Sequence, residues 1–225
     1  MARKGEHSGD SIRQAASDSV SKGDGVRERV RDLTLGALTS RRFDREAIRE
    51  VVRAITEGVS LGAAGSGAGA QRSVAEAFRG MDQALAKSVQ AGQEAIRQLV
   101  DAGRGVSQRE LQQALAGLQK IEEDFVATVG QVAESASERV RPEMREALGQ
   151  ATRAGTETSR QVAATMTDLT RTFASASAEF TLAGIEIAGE FGARFAQIAG
   201  GVLAGMADAL DKPSAEMRAE TKKSS

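Results

Sequence analysis

The sequence predicts an all-α protein: an elongated antiparallel helical hairpin or bundle with a long C-terminal amphipathic helix. Three observations predict it. Apolar residues recur at steps of three and four along most of the 225 residues, and no stretch shows the period-two alternation of β-branched residues that a strand needs. Capping signals and glycines punctuate those stretches where helices would start and stop. Ala, the strongest helix former, is the largest part of the 40% apolar share, while aromatics are 3%, all of them the seven Phe. Ala buries little area, so the chain makes helices readily but gains little per residue from its core.

Residues 1–24 are rich in Ser, Gly, Asp and Lys and read as a disordered tail, interrupted only by Ile12 and Val20. Over 25–62 the spacing predicts a short helical hairpin. Val26, Val30, Leu33 and Ala37 line its first helix, and Ile48, Val51, Val52, Ile55 and Val59 its second. Between the two, Asp44 reads as an N-cap, with Phe43 and Ile48 placed for a hydrophobic staple. Residues 63–70 read as a flexible Gly/Ala linker. Its Gly65-x-Gly67-x-x-Ala70 resembles a dinucleotide-binding loop only superficially. Such a loop needs a preceding strand to aim backbone amides at the pyrophosphate, and here a helix precedes it.

Residues 71–140 predict a long antiparallel hairpin. Its first helix opens on the capping box Ser73-Val74-Ala75-Glu76 and carries Val74, Phe78, Met81, Leu85, Val89, Ile96 and Leu99 on one side. Gly103-Arg104-Gly105 ends it, and the box Ser107 to Glu110 opens a helix lined by Leu111, Leu115, Leu118, Ile121, Phe125, Val129 and Val132. Residues 141–210 predict a long helix, apolar from 173, with Pro142 in its first turn. Its early seam is thin (Met144, Leu148, Val162, Met166, Leu169), and Gly149 and Gly155 are points where it could bend. Residues 211–225 read as a flexible tail.

The functional information lies in the C-terminal stretch. Four of the seven Phe fall between Phe173 and Phe195. On a wheel of about 100° per residue, Phe173, Phe180, Ile187, Phe191, Phe195, Ile198 and Val202 share one face, which Met206 extends. Glu179, Glu186, Glu190, Arg194, Gln197 and Asp208 crowd into a stripe roughly 80° wide. A water-facing helix has a polar arc at least as broad as its apolar one. This helix has the reverse, so the eight residues Phe173, Phe180, Ile187, Phe191, Phe195, Ile198, Val202 and Met206 are the candidate contact with an apolar surface or with other copies of the chain.

Chemistry is poorly provided for. The one histidine, His7, falls in the predicted tail, and cysteine is absent. Glu122-Glu123-Asp124 are consecutive and fan around a helix instead of converging, and Glu186 and Glu190 continue into Arg194 as an ordinary ion-pair stripe. No catalytic, cofactor-binding or metal-ligating set emerges, and the expectation is a protein that is not an enzyme. With 30 basic and 31 acidic residues intermixed, no basic excess points to nucleic acid. The N-terminus lacks the apolar run of a signal peptide, and no apolar stretch is long enough to span a bilayer, so a cytoplasmic location is expected.

Two resemblances add to this reading. The segment Arg29 to Leu38 followed by Asp44 to Ala63 resembles the N-terminal signature of an uncharacterised bacterial helical family, which imports no function. From about 71 to 225 the chain resembles phasins, the helical proteins that coat polyhydroxyalkanoate granules. The likeness lies in long helices rich in Ala, Thr, Ser and Gln with scattered Phe, as in Phe173 to Phe180 and Phe191 to Gln197. It implies a coat that adsorbs to a polyester granule or a lipid surface through its C-terminal helix. The alternative is a homo-oligomeric coiled-coil or helical-bundle scaffold using the same face.

Overall fold

The computed structural model describes residues 8–41, 43–101, 108–176 and 193–209. Its helices are α1 (Gly9–Ser21), α2 (Val26–Thr39), α3 (Arg45–Gly65), α4 (Ala70–Asp101), α5 (Gln108–Ser135), α6 (Arg141–Ala154) and α7 (Glu157–Ala176), followed by a helical stretch over 193–209, here α8. No strand occurs among the described residues, so the protein is all-α.

The order in which the helices pack is not the order in which they follow one another. α1 runs parallel to α3: Arg13 reaches Glu57 at 3.1 Å, Gly58 lies against Arg13 and Ala16, and Gly62 against Ser17 and Val20. α2 runs parallel to α4 in the same way, with Arg27 on Glu76 at 2.8 Å and Gly80 against the backbone of Arg27 and Arg31. α6 and α7 then lie in succession along α4, Glu146 against Gln71 and Thr158 against Asp82. Each of these pairings skips at least one helix.

Glycine makes the first two crossings possible. A Cβ at Gly58 would stand 2.2 Å from the Arg13 carbonyl oxygen, and one at Gly62 2.4 Å from that of Ser17. Helices that approach so closely place backbone against backbone, and small residues three and four apart permit it. Over residues 8–22 this corrects the reading of a disordered tail, of which residues 1–7 lie outside the described residues. Ser8 caps a helix whose Ile12, Ala16 and Val20 are wholly buried. Three apolar residues at a spacing of four are a thin stripe, but Gly58 and Gly62 of α3 seat Ala16 and Val20 closely. Burying Ile12 and Val20 together stabilises the docked helix by about 3–6 kcal/mol.

The 63–70 linker is likewise corrected. α3 continues to Gly65, the Ser66 hydroxyl donates to the Gly62 carbonyl at 2.7 Å, and a single 3₁₀ turn over Gly67–Gly69 leads into α4 at Ala70. Gly67, at φ +57, makes the corner. Ser73 is buried inside α4 and is not its cap. The staple at the start of α3 is as expected: the Asp44 carboxylate accepts from the Ala47 amide at 2.9 Å, and Phe43 and Ile48 are both buried.

The hairpin assigned to 71–140 is not a separate unit. α5 meets α4 where Gly92 admits Leu118, but it also packs on α3, tied by the Arg45 guanidinium to Asp124 at 2.7 Å. Its antiparallel partner is α6: Arg145 donates to Glu134 at 3.0 Å, Leu148 faces Gly130, and Thr156 donates to Glu122 at 2.8 Å. The expected stop at Gly103 to Gly105 and the box at Ser107 lie outside the described residues.

The long helix expected over 141–210 is divided at Gly155, one of the two glycines at which a bend was expected. Pro142 stands in the first turn of α6 as expected, but α6 stops at Gly155, whose φ of +75 is one that L side chains rarely adopt. The Thr156 hydroxyl then caps a new helix by accepting from the Ser159 amide at 2.9 Å.

Candidate apolar contact surface

The eight residues predicted to form an apolar face divide into two groups. Phe180, Ile187 and Phe191 lie outside the described residues, as does the side chain of Phe173. Phe195, Ile198, Val202 and Met206 lie on α8. There the helix turns Ala196, Ala199 and Leu203 fully inward, while Phe195, Ile198 and Val202 flank them half-buried against the core and Met206 is half-exposed. The Phe195 ring meets Phe43 edge to face, with centroids 6.0 Å apart and planes at 71°. The inward arc is therefore rotated by about 110° from the face that the large side chains marked. Alanines let α8 approach closely, and the larger residues then close the rim. Only their small size could have signalled it, and small residues occur throughout this chain.

The rest of the described surface is polar. Leu61, at 60%, is the one large hydrophobic residue exposed among the described residues. Most of the charge near helix crossings is matched. Arg27 and Arg79 both reach Glu76, and the Arg27 hydrogen bond, then that of Arg79, hold its carboxyl below the usual range. Arg45 does the same for Asp124, and Arg145 for Glu134. Glu122 and Asp124 are thus occupied in tying α5 to its neighbours. Among the described residues no group of three or more metal-capable side chains converges.

The approach to the apolar stretch is made by α7, whose seat on α4 combines buried Leu169 and half-buried Val162 with a row of hydrogen bonds. Asp82 of α4 accepts from the amides of Glu157 at 2.6 Å and Thr158 at 2.9 Å, and from the Thr158 hydroxyl at 2.7 Å. An anion is well placed there, since helix N-terminal amides and the helix dipole both favour it. Further along, Gln90 donates to Gln161 at 3.0 Å, Thr165 to Gln93 at 2.9 Å, and Gln93 to Asp168 at 2.7 Å, with Arg97 also on Asp168. Asp82, Gln90, Gln93 and Arg97 form one stripe of α4, and Thr158, Gln161, Thr165 and Asp168 the matching stripe of α7. Leu169 is the single large apolar side chain that α7 buries fully among its described residues.

The fold and its surface define an all-α bundle protein in which ion pairs serve helix packing and the described exterior is polar. The chain belongs to a family of unknown function, DUF6781, whose model matches residues 2–212. That match takes in the N-terminal helices and the C-terminal stretch together. No curated protein and no solved structure matches the chain. Among the described residues, no helix is long and apolar enough to cross a membrane.

Proposed function

We propose that this protein is a non-catalytic, phasin-like coat of the cytoplasm. It adsorbs to polyhydroxyalkanoate granules or a comparable lipid surface through the stretch that begins at Phe173, while the charged bundle faces water and keeps particles apart. One observation supports this above the others. The described bundle leaves only Leu61 as an exposed large hydrophobic, so the apolar capacity for an outside surface lies in the sequence at Phe173, Phe180, Ile187 and Phe191. Half-burial of Phe195, Ile198 and Val202 against the chain's own core makes them the anchor of that stretch. The compositional likeness of 71–225 to phasins agrees with this reading.

The test is co-sedimentation of the purified chain with polyhydroxybutyrate particles. The variant F173S/F180S/I187S/F191S should lose binding and keep its helicity; binding undiminished by the four changes refutes the proposal. Light scattering separates the second reading. A discrete oligomer without affinity for particles would instead make the same face a self-association surface, and the protein a homo-oligomeric scaffold.

A further inference from the structure

We propose that the groove between α5 and α6 binds a free monocarboxylate whose straight acyl chain has about eight carbons, the length of about 12 Å of helix. The proposal stands apart from the surface-binding reading, which concerns residues from Phe173 onward.

The groove comes first. α5 and α6 are tied at one end by Arg145 on Glu134 and at the other by Thr156 on Glu122. Between the two ties they leave an open space of about 350 Å³. Sites that hold small molecules begin at about 300 Å³. Gly130 and Ala133 of α5 and Leu148 and Gly149 of α6 line it, with Ala133 buried and the other three half-buried.

The space exists because each helix places a glycine there. A Cβ at Gly130 would have only Leu148 Cδ2 within 4 Å, at 3.8 Å. The three atoms nearest to one at Gly149 all belong to the Arg153 guanidinium, at 3.2 to 3.8 Å. Gly58, Gly62 and Gly80 admit a neighbouring backbone, and these two do not. Both weaken their helices relative to alanine, and what they leave is room.

The charge is placed at one end. Arg153 folds back across Gly149 and makes no hydrogen bond or ion pair among the described residues. At the opposite end Arg145 is matched by Glu134. One free cation beside an apolar lining complements an anion with an apolar tail. The carboxylate can accept two parallel hydrogen bonds from Arg153, while the tail lies on Ala133 and Leu148. Glu134 repels a carboxylate from the far end and so sets the direction. The eight positions of α6 from Arg145 to Arg153 span about 12 Å at 1.5 Å each, which is the reach of the proposed chain. A nucleotide would press several charges against the apolar lining, and an alkane would leave the guanidinium unused.

Titration of the isotope-labelled full chain with octanoate at neutral pH, below its micelle-forming concentration and followed by amide NMR, tests the site. Saturable shifts are expected at Gly130, Ala133, Gly149 and Arg153, with α1 and α2 unmoved; no shifts at those four positions overturn it. Arg153→Gln should weaken octanoate about tenfold, and octanol should bind the unaltered chain about tenfold less tightly than octanoate. Equal affinity in either comparison overturns the pairing with the guanidinium, and the proposal with it. Gly130→Leu fills the groove where a Cβ has room, so it should keep its Tm and lose the octanoate shifts. Undiminished binding by folded G130L overturns the groove. F173S/F180S/I187S/F191S should bind octanoate as the unaltered chain does, whatever its affinity for particles. Loss of octanoate there would place the ligand on that stretch and overturn the groove.

Discussion

Replacing Gly58 by alanine tests the packing of the N-terminal helix by its sign. In an isolated helix the change is favourable by up to about 1 kcal/mol, because alanine loses less backbone freedom than glycine. In the folded protein the added methyl meets the Arg13 carbonyl oxygen at 2.2 Å, the Ala16 Cβ at 2.7 Å and the Arg13 carbonyl carbon at 3.0 Å. Two of those three are backbone atoms, which cannot swing aside, so α1 must shift off α3. Overpacking of this kind costs about 1–3 kcal/mol. Setting the propensity gain against the upper part of that range leaves a net loss of about 1–2 kcal/mol, a fall of roughly 2–8 °C in Tm for a chain this size. Gly36 is the control. It too is helical, but nothing lies within 4 Å of an added Cβ, so G36A should stabilise. Urea unfolding followed by circular dichroism reads both, and limited proteolysis around Lys22 to Arg27 reports whether α1 has come away. If G58A proves as stable as G36A, α1 does not pack on α3 in solution and the parallel crossing is wrong.

Three further outcomes follow from the geometry. Asp82→Ala removes the carboxylate on the first amides of α7 and should cost about 0.5–2 kcal/mol, seen as faster amide exchange at 157–160 with α3 unaffected; unchanged exchange there would contradict the cap. Glu76 has a folded-state pKa below its ordinary 4.5, chiefly through the Arg27 hydrogen bond, so the stability it contributes is present above about pH 4.5 and is lost as pH falls through the lower folded value. Acid titration of unfolding should therefore be flatter in Glu76→Gln, and identical profiles would show that the pair contributes nothing. A double-mutant cycle of Phe43→Leu and Phe195→Leu should give a coupling of about 0.5–1.5 kcal/mol, whereas strict additivity would mean that α8 does not rest on Phe43.

Where one residue type suffices to terminate or cap, the sequence was readable. Asp44 with Phe43 and Ile48 begins α3, and Pro142 stands in the first turn of α6, because those signals are local and act within one turn. The period of the apolar residues located α2 to α5 for the same reason. What could not be read were contacts between distant segments. The stripe Ile12, Ala16 and Val20 is too thin to be noticed until Gly58 and Gly62 are known to receive it. The Gly/Ala run before α4 has the composition of a linker, yet its hydrogen bonds at Ser66 make it a corner. The candidate surface shows the same limit. A helical wheel weighs side chains by size, and so it pointed to Phe195 and Val202, whereas α8 chose its inward side by closeness, through Ala196 and Ala199. The stripe of Asp82, Gln90, Gln93 and Arg97 carries no local signal in the sequence, because its partners lie more than seventy residues away.

Helices that pair with every second neighbour impose a schedule on synthesis. When α1 leaves the ribosome its seat has not been made, and about forty more residues must follow before Gly62 is available, a wait of about 2–8 s at ordinary elongation rates. Throughout that interval Ile12 and Val20 are open to chaperones or to a neighbouring nascent chain. Ribosome spacing and codon speed across the first seventy positions should thus influence the yield of correctly assembled protein more than they would in a bundle built from successive hairpins.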